Sequence, residues 1–305
     1  MSVKGSSFAT LWIDQEDPSV RLAEIRAMHG QEVAEKIEGF INNGFLILNS
    51  IISKNEISKY EDALKNLLEN NSDVKISLGT DIKTNSELDI GTPLTKILDT
   101  HAILKESVPL FFNSELFKYL TLIFGEEPLA FQSLYFNVGS TQAIHQDTAY
   151  VVVDQPLNLA ASWIALEDVS EGAGELQYIP GSHRFPDYLY GQHFRHWSAA
   201  RDGEAIHDHH LHWLRKYAEE NGHQLVKFRP KQGDVLIWHA DLAHGGAEIT
   251  TDATRKSLVT HYCGAKCTPH YFQYMDVPQQ NKVKTKGGYI SSFYYNLKAR
   301  KAKQE

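Results

Sequence analysis

From Leu129 onward the chain breaks into short β-prone runs punctuated by glycine and proline, and this punctuation limits the possible folds more than any other feature. The runs fall at residues 131–138, 149–153, 159–166, 175–179, 224–228, 234–238 and 257–262, with Gly172-Ala173-Gly174 and Pro180-Gly181 among the breaks. Many short strands at such spacing predict a β-sandwich or a jelly roll.

The first 125 residues read as mainly helical. Leu22, Ile25, Met28, Val33, Ile37 and Ile41 recur at helical spacing between Ser19 and Asn43, and Gly44 stops the run. A short strand is predicted over 45–48 and a second amphipathic helix over 56–69, with Asn55 as its N-cap. A third helix is predicted over 114–124, capped by Asn113. Residues 182–222 form a long insertion rich in Tyr, His and Trp with a helix over 210–220, the kind of segment that serves as a lid or binding loop. The charged tail 298–305 is expected to fray. No repeat or linker marks a boundary, so the chain reads as one domain: a helical part (1–125), a β core (126–265) carrying the insertion, and a C-terminal extension (266–305).

With 30 basic against 38 acidic side chains and a net charge of -8, the chain lacks the positive field that non-specific nucleic-acid binding needs. No stretch reaches eighteen apolar residues, and the opening residues lack a signal-peptide core, so no membrane association and a cytoplasmic location are expected. Cys263 and Cys267 read as two reduced thiols near a late strand.

Within the β-rich part, His145 and Asp147 stand two apart. In an extended segment such residues point the same way and can present an imidazole and a carboxylate to one ion. His244, just after the run 234–238, is a candidate third ligand. Two histidines and one carboxylate on a single face of Fe(II) leave positions open for a chelating 2-oxo acid and dioxygen. The later Arg255 offers a cation for the far carboxylate of a keto-diacid. His239 and Asp241 make a competing His-x-Asp pair, but one short loop would then supply every ligand. They are expected instead to shape the loop that carries His244.

The order of several motifs is similar to that of the phytanoyl-CoA dioxygenase family of Fe(II)- and 2-oxoglutarate-dependent oxygenases, over roughly residues 39–262. The motifs are Gly44-Phe45-Leu46-Ile47-Leu48, His145-Gln146-Asp147, the stretch 163–168, Gly174-Glu175-Leu176, Pro180-Gly181-Ser182-His183, Gly233-Asp234-Val235 and the span from His244 to Arg255. The resemblance implies a mainly β fold, a double-stranded β-helix (jelly roll, cupin-like) with flanking helices. It implies His145, Asp147 and His244 as iron ligands and Arg255 on the distal carboxylate of 2-oxoglutarate. Trp163 matches a cosubstrate-pocket position, and Gln132 a pocket-lining glutamine of some relatives. Some relatives carry a hydroxyl two residues after the distal histidine; this chain has Gly246 there, so that hydrogen bond must come from elsewhere. Halogenating relatives have a small residue where Asp147 stands, so hydroxylation of a small metabolite, with dioxygen consumed and succinate and carbon dioxide released, is expected. Desaturation or ring formation at the same site, or a non-catalytic metal-binding barrel, are the alternatives.

Other residues invite a functional reading. The run from His207 to His212 looks like a second metal site but reads as a polar lid or exposed helix start. His183 is expected to pin its loop by hydrogen bonding. Tyr188, Tyr190, His196 and Trp197 could line a substrate pocket or simply pack the insertion, and 289–295 could close over the barrel mouth.

Overall fold

The computed structural model describes residues 8, 10–15, 17–79, 81–87, 89–271, 282–285 and 287–297. The tail 298–305, predicted to fray, and the opening residues 1–7, read for a signal peptide, lie outside the described residues.

The β-prone runs assemble into a large sheet with the spatial order Phe45–Leu48, Val235–His239, Leu159–Ala165, Ser257–Gly264, Pro128–Phe136, Thr95–Leu98, Lys75–Leu78 and Asp81–Thr84, all neighbours antiparallel. The strand Tyr289–Ile290 adds to Pro128–Phe136 in parallel. A smaller sheet of His244–Gly246, Leu176–Tyr178 and Val226–Phe228, and a pair of Val151–Val153 with Pro269–Tyr271, complete the jelly roll.

Alternation along the central strands decides what faces where. On Leu159–Ala165 the inward set Ala161, Trp163 and Ala165 packs with Leu176, Tyr178 and Phe228 of the smaller sheet. The outward set, Ala160 and Ile164, packs under the helices with Ile37, Phe40, Ile57, Tyr60 and Leu64. Because both faces are covered, every residue of this strand is buried.

Several predicted elements differ in detail. The first helical run is two helices, Ser19–His29 and Gln31–Asn43, because Gly30 turns the chain at φ +89°. Met28, in the last turn of the first of these helices and turned well away from Leu22 around its axis, lies 70% exposed instead of joining Leu22 and Ile25 in the core. The next helix is Lys54–Asn70, capped by Ser53 rather than Asn55. Ser53 Oγ accepts from the Glu56 amide while Glu56 answers the Ser53 amide, a reciprocal cap that satisfies two otherwise unpaired donors. Asn113 caps Ser114–Phe124 as expected. The strands Lys75–Leu78, Asp81–Thr84 and Thr95–Leu98 lie in what read as a helical region. Each has four residues and half-polar alternation, too brief a signal to outweigh the surrounding helices. The insertion helix begins at Glu204, well before the predicted 210. No helix among the described residues is long and apolar enough to cross a membrane.

Candidate metal and cosubstrate site

His145 and His244, far apart in sequence, are joined by a β-bridge in which each backbone amide donates to the other's carbonyl at 2.9 Å. The approach depends on the glycines after His244, since a Cβ at Gly245 would stand 2.6 Å from the Gln142 carbonyl oxygen and one at Gly246 2.6 Å from the Thr141 nitrogen. The Asp147 amide donates to the Ala240 carbonyl at 3.0 Å, bringing its carboxylate over the same bridge.

His145 Nε2 and His244 Nε2 lie 3.8 and 3.7 Å from Asp147 Oδ1. One ligand atom from each residue falls within 4.8 Å of the others, and all three residues are buried. His145 Nδ1 sits 2.8 Å from the Ala143 carbonyl and His244 Nδ1 2.9 Å from the Leu242 carbonyl. These acceptors assign the proton to Nδ1 in both rings, leaving the Nε2 lone pairs toward Asp147. Burial, aided by His244, pushes the His145 imidazole down to about 3, which keeps it neutral and able to ligate. Burial opposes ionisation of Asp147, but His244, His261 and His145 together hold it below the usual carboxylate range. Two neutral imidazoles and one carboxylate, with lone pairs converging beside an open cavity, fit an Fe(II) ion.

The adjoining cavity, about 500 Å³, is lined by these three residues together with Gln132, Trp163 and Arg255. Its floor follows the pleat: Trp163, Val259, Leu134 and Leu98 share one register row across four strands. Arg255 is 2% exposed, lies 5.5 Å from the Phe136 ring and 5.6 Å from that of Trp163, and gives Nη1 to the Gly174 carbonyl. Burial lowers its guanidinium to about 10, against the pull of Glu175, so it stays charged at neutral pH. Its buried Nε has no partner, and a cation with unused donors at the end of an aromatic trough fits the distal carboxylate of 2-oxoglutarate.

Among the lining residues that escaped the sequence reading are Lys96, Tyr150, Trp238 and His261. Strand parity could have found two, since His261 is two after Val259 and Trp238 two after Leu236. Lys96 could not be found because its four-residue strand lies in a region read as mainly helical. Tyr150 gives or receives a 2.6 Å bond with His207 and sits edge-on to His145 at 5.3 Å.

The competing pair points elsewhere. His239 Nε2 faces Asp14 at 3.1 Å, and Asp241 takes the Thr148 hydroxyl and pairs with Arg195. His183 Nε2 lies 3.0 Å from the Ile41 carbonyl, pinning its loop. The histidine run starts the helix Glu204–Glu220 with Asp208, His209 and His212 exposed, as expected, while His207 reaches Tyr150, His209 reaches Tyr188, and buried His210 reaches Tyr190. Among the described residues only His145, Asp147 and His244 form a metal-competent group. Trp197 and Tyr294 line the cavity, whereas Tyr190 is packed in the insertion. Both cysteines are free and buried.

A jelly roll with such a group beside a buried arginine is the arrangement of the Fe(II)- and 2-oxoglutarate-dependent dioxygenases, and this chain is one of them. The profile of the Phytanoyl-CoA dioxygenase (PhyH) family matches residues 40–257, and the chain belongs to that family. The peroxisomal phytanoyl-CoA dioxygenase of Bos taurus is 24% identical over 261 residues, 81% of this chain and 72% of that protein. The structure of the epimerase SnoN in complex with Fe3+, alpha ketoglutarate and nogalamycin RO is similar at a TM-score of 0.56 and 17% identity, over 90% of this chain and 99% of that one. EctD from S. alaskensis with 2-oxoglutarate and 5-hydroxyectoine is similar at a TM-score of 0.53 and 22% identity, over 74% of each chain. At these identities the two structures speak for the fold alone.

Proposed function

We propose that the protein hydroxylates an unactivated C–H bond of a small metabolite, that His145, Asp147 and His244 hold the iron, and that Arg255 receives the distal carboxylate of 2-oxoglutarate. The observation that carries this reading is the convergence of the three ligating groups and the arginine on one cavity of about 500 Å³. When bound, the ferrous ion and keto acid supply the oxidising power, drawn from dioxygen as 2-oxoglutarate is converted to succinate and carbon dioxide.

The chain's own residues orient and enclose. Arg255 fixes one end of the cosubstrate, while Trp163 and Val259 exclude water along its length. Gln132 forms part of the wall on the floor strand. Tyr150, Trp197, His207 and Leu211 line the side toward the insertion, where the carbon to be oxidised is held. The volume suits a small substrate plus cosubstrate. Retention of the carboxylate ligand Asp147 supports hydroxylation, since it leaves no vacancy for halide.

We read the chain as one oxygenase domain that takes a small-molecule substrate and dioxygen. The free cysteines support work in a reducing compartment such as the cytoplasm. The test is succinate release across a metabolite panel with Asp147→Ala as control. Substrate-dependent release of succinate with a product heavier by one oxygen, lost in the variant, is the expected result; a desaturated or cyclised product would replace hydroxylation by that outcome.

A further inference from the structure

Beneath the Asp147 carboxylate, one row of the large sheet runs in register through Gln132, His261, Ala161 and Trp238. Ala161, between two ring-bearing residues, is the small member, and its short side chain leaves a trough that the carboxylate can enter. From one side Trp238 Nε1 donates to Oδ2 at 2.7 Å. From the other, His261 Nε2 approaches the same oxygen to 3.4 Å.

His261 is 3% exposed, yet neither ring nitrogen has a hydrogen-bond partner, because the approach to Asp147 stops just beyond bonding geometry. Buried polar groups left unpaired are rare and call for an explanation. Pairing with Pro128–Phe136 slips between His261 and Tyr262, passing over Phe131, so the neighbouring strand bulges beside this histidine, an irregularity common next to active sites.

We infer that His261 is a positioning residue for the metal centre: its Nε2–H, with the indole N–H of Trp238, holds Oδ2 of Asp147 back so that the aspartate binds through Oδ1 alone. This rests on the proposed ligand set. An aspartate binding through both oxygens would take a coordination position that the chelating keto acid and dioxygen need. Oδ1 is the oxygen that faces His145 and His244, and Oδ2 is the one that faces Trp238 and His261.

The test is an anaerobic titration of the full chain with Fe(II) and then 2-oxoglutarate, following iron affinity and the weak visible band of the chelate. His261→Phe keeps the ring bulk and removes both nitrogens; His261→Gln restores an N–H donor. The expected result is a loss of iron affinity of about tenfold or more in His261→Phe, with a displaced band, and recovery of most of both in His261→Gln. Wild-type affinity and an unmoved band in His261→Phe overturn the proposal and leave the ligand set standing. Absence of the band in the wild type, or undiminished iron affinity in Asp147→Ala, overturns the ligand set and the proposal with it. Should His261→Phe not fold, nitrogen NMR of the zinc-loaded wild type decides: a proton on His261 Nε2 supports the proposal, and a bare Nε2 overturns it.

Discussion

Trp238 Nε1 donates to Asp147 Oδ2 at 2.7 Å, from the strand that pairs with Leu159–Ala165 to the first residue of a short 3-10 turn that the sequence places far upstream. A charged acceptor makes this the stronger kind of hydrogen bond. Trp238 is 2% exposed, so its loss is not repaired by water. Trp238→Phe should cost about 1.5–3 kcal/mol in stability of the metal-free protein and weaken iron binding about tenfold or more. Chemical denaturation and an anaerobic iron titration check the two effects separately; unchanged iron affinity would show that the indole only packs.

Arg255 spends one donor on the Gly174 carbonyl and leaves Nε unpaired. Arg255→Ala should therefore raise the 2-oxoglutarate requirement by at least about tenfold while leaving iron affinity nearly unchanged. Succinate release as a function of cosubstrate, beside an iron titration, separates the two. Equal losses in both would mean that the arginine supports the fold of the centre instead of the keto acid.

How much could be read in advance depended on how local the signal was. The jelly roll showed in the repeated short runs and their glycine breaks, and His145, Asp147, His244 and Arg255 were visible because their residue types and order carry chemistry. The bridge that joins His145 to His244 was not visible, since it rests on long-range backbone pairing. Nor was the wall made by Thr95–Leu98, whose four residues only become a strand by adding to the edge of Pro128–Phe136. His261 and Trp238 looked like ordinary core residues until the register set them side by side with Ala161 between. The tyrosine partners of His207, His209 and His210 were not visible either, because each comes from another segment of the chain.

Two histidines outside the site predict an acid-labile fold. Burial, with Arg195 adding to it, pushes His210 down to about 3, and burial, with His239, holds His183 well below its ordinary value. In the unfolded chain each takes a proton near pH 6.5. The unfolded state therefore binds more protons between these limits, so the stability contribution is whole above about 6.5 and is lost as pH falls toward the folded values. Each contributes a slope of up to about 1.4 kcal/mol per pH unit. Urea unfolding of the metal-free protein between pH 7.5 and 5 should show the decline, and His210→Gln should remove about one proton's share of it. A slope identical to wild type would mean that His210 titrates normally.

Gly246 bears on how the cosubstrate pocket is completed. Some relatives carry a hydroxyl at this position, which suggests Gly246→Ser as an improvement. The geometry argues the reverse. A Cβ there would stand 2.6 Å from the Thr141 nitrogen and 2.8 Å from Ser140 Oγ, and the nearer contact is backbone, which cannot swing aside. The segment that would have to move leads directly into His145, whose bridge to His244 brings the proposed ligands together. Ser140, itself lining the cavity, already places a hydroxyl in the space a residue-246 side chain would fill. Gly246→Ser should thus destabilise the protein by roughly 1–3 kcal/mol and raise the 2-oxoglutarate requirement, as overpacking against backbone does elsewhere. Thermal unfolding and cosubstrate titration of the variant test this directly: a stable protein with tighter cosubstrate binding would mean that the 140–142 segment yields and that the added hydroxyl takes up the expected role.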